Sequence, residues 1–199
     1  LPPDSPLHDD AVASTHEVAL GDGRTVQIQF IPILTPHGDQ LGRLWLAKDV
    51  TERRRHEQTL ERLASTDTLT GLANRRAFME RLEPECARQA SGGPGGMVLM
   101  LDLDHFKRVN DTWGHATGDV VLVHLARMLK GNLLRSHDLA GRLGGEEFAV
   151  LLPGTTAQEA TAIGERLRHA LEQSRIHAGD GTIFQVTMSI GAAPLHADA

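Results

Sequence analysis

The stretch "DLAGRLGGEEFAVLLP", residues 138–153, constrains the fold of this 199-residue chain most tightly. Two apolar runs, "DLAGRL" and "FAVLLP", flank a Gly-Gly pair, which predicts two antiparallel strands closing on a turn. At that turn Glu146 and Glu147 set two like charges beside two residues that have no side chain, Gly144 and Gly145. Upstream, "MVLMLDLD" (97–104) reads as a buried strand, and "TGDVVLVHLARMLKGNLL" (117–134) places Val121, Leu125, Met128 and Leu129 at helical spacing. Downstream, "AQEATAIGERLRHALEQS" (157–174) repeats Ala160, Ile163, Leu167 and Leu171 on one helical face, and "FQVTMSIGAAPL" (184–195) returns as a strand.

The order strand, helix, hairpin, helix, strand is that of an α+β, ferredoxin-like antiparallel sheet with helices on one face. Chemistry on such a sheet gathers at strand ends and turns. Ahead of it, "RTVQIQFIPIL" (24–34) and "GRLWLAKDV" (42–50) read as two antiparallel strands around the turn "TPHGDQ". A hairpin alone is marginal, so residues 1–50 read as the end of a domain whose earlier strands are missing. "TERRRHEQTLERLA" (51–64) is a charge-dense helix with Thr51 as its N-cap, and residues 51–66 form a linker. Leu60 and Leu63 give that helix too narrow a seam to stand alone, so it pairs with a copy of itself, continues a longer coiled coil, or is a solvated connector.

Charge and composition remove several function classes. The net charge is -6 with Lys and Arg scattered, which excludes the basic stripe of a nucleic-acid binder and leaves any phosphate ligand in need of positive charge. The apolar run Met97–Leu101 is far short of the roughly 20 residues of a membrane span, and no charged-then-apolar leader opens the chain, so no membrane contact is expected within this segment. Cys86 is the only cysteine, which fits a reducing, cytoplasmic setting. The chain begins at Leu1 rather than methionine, so an upstream membrane-anchored or sensory portion is left open.

Two stretches carry the chemistry. In "LDLDHFKRVND" (101–111), Asp102 and Asp104 alternate with leucines at a strand end, so both carboxylates point to one face. If the sheet sets that end beside the Glu146–Glu147 turn, three or four carboxylates converge, which calls for a cation. With oxygen ligands and no His/Cys cluster, that cation is Mg2+ or Mn2+. Magnesium completes its shell with phosphates, so a nucleoside triphosphate is the natural ligand, and Gly144 and Gly145 leave it room. Each feature also has a plainer reading: a Gly-Gly pair as a simple turn, adjacent acids as solvated charges, Asn110 and Asp119 as helix caps, Arg135 and Asp138 at a helix end as an ion pair.

Four motifs together resemble the GGDEF family of diguanylate cyclases, in its GGEEF variant, over residues 67–199: "DTLTGLANRRAF" (67–78), "DLDHFKRVNDTWGHATGD" (102–119), "RSHDLAGRLGGEEF" (135–148) and "VTMSIGAA" (186–193). Residues 20–53 resemble the C-terminal hairpin and exit of a PAS sensory domain. The resemblance implies a nucleotide-cyclase, palm-like sheet. It also implies a reaction in which two GTP are condensed to cyclic di-GMP by an antiparallel homodimer, each subunit holding one GTP. On it, Asp102, the Leu103 carbonyl and Glu146 hold the metal. Glu146 is the proton acceptor, Glu147 the neighbouring essential acid, and Lys107 offsets phosphate charge. Asn110, His115, Asp119, Gly144 and Gly145 line the substrate site. Arg135 and Asp138, an R-x-x-D five residues ahead of the glycines, form an inhibitory product site for cyclic di-GMP. A catalytically silent cyclic di-GMP receptor and a dimerising module built on the 51–64 helix are the competing readings. The chain ends at Ala199, ahead of the family's last helix with its phosphate-gripping Lys and Arg, and weaker GTP binding is expected for that reason.

Overall fold

Odd-numbered leucines of "MVLMLDLD" point into a core and even-numbered residues point out: Leu99, Leu101 and Leu103 are buried while Met100 and Asp102 are exposed. The computed structural model describes residues 13–131 and 133–196 and divides the chain into two compact units, one ending at Glu61 and one starting at Arg62. Residues 1–12 of the segment read as a partial PAS domain, Asn132 and the C-terminal residues 197–199 lie outside the described residues.

The first unit is an antiparallel meander of β1 (Ser14–Ala19), β2 (Thr25–Leu34) and β3 (Gln40–Asp49). Sequence periodicity predicts only two strands here. The third, "STHEVA", escapes it because Val18 is its one large apolar residue. Phe30 of β2 lies opposite Trp45 of β3 with ring centroids 5.0 Å apart. Among the described residues the β1–β2 pairing reaches Phe30, so the missing N–H of Pro32 breaks no described ladder bond on that side.

Helix α1 (Thr51–Ser65) follows. Thr51 is its first residue rather than its cap, because the Asp49 carboxylate accepts the Thr51 N–H at 2.9 Å and its hydroxyl at 2.6 Å. No described α1 residue is fully buried, and Leu60 and Leu63 are exposed.

The second unit contains β4 (Ala73–Asn74), α2 (Arg75–Ala90), β5 (Gly96–Leu103), α3 (Phe106–Trp113), α4 (His115–Lys130), β6 (Leu139–Gly144), β7 (Glu147–Pro153), α5 (Ala157–Gln173), β8 (Ile176–His177), β9 (Ile183–Phe184) and β10 (Met188–Pro194). Five strands form one sheet in the order β10-β5-β7-β6-β4; all pairs are antiparallel except the short β4–β6 edge. This is the α+β, palm-like sheet expected.

Helices cover both faces rather than one. Leu99, Leu101, Phe148 and Val150 pack with Val121, Leu125 and Leu129 of α4 and with Ala160, Leu167 and Leu171 of α5. Ala149 and Leu151 meet Phe78 and Cys86 of α2 on the reverse side. The central strand β7 is buried on both sides, with Phe148 through Leu152 each 0% exposed, which is why "FAVLL" runs apolar without alternation. Among the described residues no helix is long and apolar enough to cross a membrane.

Candidate active site

Antiparallel pairing of β5 with β7 sets Asp102 directly opposite Glu147. Opposed residues share a sheet face with Cβ atoms about 4.5–5.5 Å apart, and like charges there destabilise the pair. Phe148 turns into the core, so Glu147 and Asp102 face the same side, while Glu146 sits half-buried in the connecting turn. Arg75 brings a cation alongside, its Nη2 3.8 Å from Glu147 Oε2. A bulge between Arg142 and Gly144 shapes the turn, and Gly145 takes a left-handed φ of 51°. A Cβ at Gly144 or Gly145 would meet nothing within 4 Å, so both glycines border open space.

Asp104 does not join this group. Its carboxylate accepts the Thr187 hydroxyl at 2.6 Å and the Ser189 hydroxyl at 2.7 Å, and its N–H bonds the Thr187 carbonyl. Those two hydroxyls hold its carboxyl below the usual carboxylate range. The expected convergence of three or four carboxylates is therefore corrected: among the described residues no three His, Cys, Asp or Glu side chains are grouped to hold a metal. What remains is a pair of carboxylates, Asp102 and Glu147, opposed in register at one strand end, with Glu146 in the adjoining turn. That set fits magnesium, which takes one or two protein carboxylates and fills its shell with phosphate and water.

The chain leaves β5 through His105, the one described non-glycine residue with positive φ, at 57°. This bend starts α3, on which Lys107 is exposed and Asn110 half-buried. Asn110 packs against α4 at Gly118, where a Cβ would overlap Asn110 Oδ1 and come within 3.2 Å of Phe106 Cζ. Asp119 follows on the exposed side of α4, and His115 is the first, exposed residue of that helix. The α3–α4 contact thus sets Asn110 close to the residue that precedes Asp119. Gly118 was not singled out from sequence, where a glycine in a helix reads only as a cost in propensity.

Two arginines missed by sequence reasoning brace the turn. Arg75 Nε donates to the Leu143 carbonyl at 3.0 Å. Arg142 donates Nε and Nη2 to the Gly145 carbonyl at 3.0 and 2.8 Å, and Nη1 to both Asp67 oxygens at 3.2 and 3.3 Å. Burial pushes the Asp67 carboxyl up, but the Thr70 hydroxyl and N–H with the Arg142 guanidinium more than offset it and leave it below the usual range. The "DTLTG" spacing, which puts Thr70 three residues after Asp67, was the available signal.

Arg135 and Asp138 lie in the turn before β6 rather than at a helix end, because α4 stops at Lys130 and the Gly131 N–H caps it. Asp138 is closed off, its side chain 0% exposed, and it accepts the Arg135 N–H at 2.8 Å and guanidinium Nη2 at 3.0 Å. The same Nη2 donates to the Thr155 hydroxyl. The pair borders a cavity of about 520 Å³ whose wall includes Lys130, Ser136 and Gly71. It stands at the opposite end of β6 from the glycine turn, roughly 20 Å away at about 3.3 Å per residue, so the two places are separate.

Residues 64–199 match the family profile described as diguanylate cyclase, GGDEF domain. Over 178 residues the chain is 39% identical to diguanylate cyclase DgcM of Escherichia coli strain K12, which covers 89% of this chain and 42% of that protein. This chain therefore spans less than half the length of DgcM. Among solved structures, the coiled coil and GGDEF domain of DgcB from Caulobacter crescentus in complex with c-di-GMP has a TM-score of 0.70 at 34% identity, covering 75% of this chain and 79% of that one. Diguanylate cyclase SiaD from Pseudomonas aeruginosa, in complex with its activator SiaC, has a TM-score of 0.64 at 43% identity, covering 72% and 54%. With the profile spanning more than half of its residues, the chain belongs to the GGDEF-domain family of diguanylate cyclases.

Proposed function

We propose that this chain is one half of a diguanylate cyclase that condenses two GTP into cyclic di-GMP and two pyrophosphates, each subunit of a homodimer presenting one GTP. The observation that carries the reading is the register of Asp102 against Glu147, with Glu146 in the adjoining open turn. Two carboxylates opposed across a sheet cost stability unless a cation or a task retains them. Asp102, the Leu103 carbonyl and Glu146 would hold Mg2+ or Mn2+, which when bound supplies the positive charge that a triphosphate needs and a chain of net charge -6 lacks.

The protein's own residues do the rest. Asn110 and Asp119 face guanine's amide and amino edge, the Asn offering donor and acceptor and the Asp accepting. His115 stands at the open start of α4 as a further substrate contact. Lys107 brings a compact ammonium to the phosphates. Gly144 and Gly145 admit the nucleotide to the turn. The 3′-oxygen of each GTP forms a bond to the other's α-phosphorus as the bond to its β-phosphate breaks. The hydroxyl proton passes to Glu146, with Glu147 beside it.

Arg135 and Asp138 form an inhibitory site for cyclic di-GMP away from this centre, with the buried Asp138 holding the partly exposed Arg135 guanidinium toward the ligand. The residues before 51 act as the exit strands of a PAS sensor, residues 51–66 as the signalling linker and residues 67–199 as the cyclase domain. The exposed Leu60 and Leu63 seam of α1 suits pairing with a second copy. The reading places the chain in the cytoplasm, where GTP is supplied.

Incubation with GTP and magnesium, followed by chromatographic detection of cyclic di-GMP, tests the proposal. Product that depends on the metal supports it. Cyclic di-GMP binding with no turnover of GTP would replace the enzyme with a silent receptor.

A further inference from the structure

We propose that Asp67 and Arg142 form a positioning tie that holds the turn carrying Glu146, so that they govern the chemical step rather than the grip on GTP. The inference rests on the cyclase reading of that turn and adds two residues to it.

The turn has little of its own to hold it. Gly144 and Gly145 have no side chains, border open space, and adopt φ values of 153° and 51°. Glycine has more conformational freedom to lose on ordering than any other residue. A catalytic acid next to such a pair would wander unless something outside the turn fixed the backbone. Arg142 does this from within β6, closing two hydrogen bonds on the Gly145 carbonyl immediately ahead of Glu146. Its remaining nitrogen, Nη1, is spent on Asp67. With all three nitrogens engaged and the side chain 14% exposed, Arg142 is occupied as a strut and not presented to a phosphate.

Asp67 is itself over-determined, as an anchor must be. Its carboxylate accepts the Thr70 N–H at 2.8 Å and the Thr70 hydroxyl at 2.6 Å. Its N–H bonds the Leu72 carbonyl, and its carbonyl accepts the Gly71 N–H. The fork geometry of guanidinium lets one side chain span carboxylate and carbonyl at once, which a lysine cannot do. The anchor lies two residues after α1, whose Ala64 carbonyl is gripped by Asn74 Nδ2 at 3.0 Å and Arg76 Nη2 at 2.7 Å. The Asp67–Arg142 tie thus starts close behind the end of α1 and reaches the glycine turn through two successive contacts, Asp67 to Arg142 and Arg142 to the Gly145 carbonyl.

The test compares the parent with Asp67→Asn and Arg142→Lys in the full chain, by hydrogen exchange of segment 143–148 without nucleotide, by GTP kinetics and by thermal melting. Both variants are expected to exchange that segment about tenfold faster. They are expected to lose about 10- to 100-fold in kcat while KM for GTP and exchange in the rest of the domain stay close to the parent's. Unchanged exchange in the segment, unchanged kcat, or a raised KM at constant kcat would each overturn the tie. So would loss of folding or domain-wide loosening in both variants, since the pair would then be structural only; if one variant alone fails to fold, the other decides. A parent that makes no cyclic di-GMP removes the cyclase reading by itself, and the exchange comparison still decides whether the tie exists.

Discussion

Replacing Gly118 by alanine should leave the fold standing and weaken GTP. The added Cβ would overlap Asn110 Oδ1 and lie 3.1 Å from Asn110 Cγ and 3.2 Å from Phe106 Cζ. The Asn110 amide is the movable end of its side chain and can rotate away, whereas Phe106, 7% exposed, must shift by a few tenths of an ångström. Alanine in a helix interior is favoured over glycine by about 1 kcal/mol, and mild overpacking costs about 1 kcal/mol or somewhat more. The two nearly cancel, so the melting temperature should move by no more than about 2–4 °C. Binding has no such compensation. If Asn110 makes one or two hydrogen bonds to guanine, each with a net contribution of about 0.5–1.5 kcal/mol, turning it aside costs about 0.5–3 kcal/mol, or roughly 2- to 150-fold in Kd. Calorimetric titration of GTP with magnesium, beside a thermal melt, reads both quantities. Parental GTP affinity in a folded Gly118→Ala protein would refute the role of Asn110, and a loss of several kcal/mol in stability would show that the contact is packing alone.

Asp102→Ala and Glu146→Ala should each abolish metal-dependent GTP turnover, and near-parental rates in either would remove the metal assignment. Without metal, Asp102→Asn should hold or raise stability by about 0.2–1 kcal/mol, because it relieves the opposition to Glu147; a marked loss in a denaturant melt would contradict that like-charge account. Arg135→Ala should relieve inhibition by added cyclic di-GMP while leaving the initial rate intact, and equal inhibition of variant and parent would remove the product site. The two hydroxyls that depress the Asp104 carboxyl make its contribution to stability fully present above its unfolded pKa, about 3.9. That contribution is lost as pH falls through the lower folded value. The melting temperature of Asp104→Asn should therefore fall less than the parent's between about pH 6 and pH 3, and identical acid sensitivity would sink the assignment.

Much of the fold was legible because its signals are local. The leucines of β5 show period 2, and α4 and α5 repeat Val121, Leu125, Leu129 and Ala160, Leu167, Leu171 on faces that do meet the core. The Gly-Gly turn set β6 against β7. The second covered face has its signal in the unbroken "FAVLL", a run buried on both sides, whereas the order of elements alone predicts helices on one face. β1 was hidden by its polar composition, since it pairs through backbone and a single valine.

The site divides along the same line. Residue types at the strand end announce oxygen ligation, yet alternation says only that Asp102 and Asp104 start on one face. Which of them stays available depends on Thr187 and Ser189, more than eighty residues downstream and across the sheet. The Arg142 partner Asp67 is likewise 75 residues away, and no periodicity links the two. Both cases turn on one physical fact. A carboxylate is assigned by whatever satisfies it, and in a sheet that partner comes from the neighbouring strand or loop rather than from the neighbouring residue. Asp104 has each carboxylate oxygen engaged by one hydroxyl of the neighbouring strand end. Asp102 is left exposed against a second carboxylate, and the repulsion between those two makes a cation at that strand end energetically favoured.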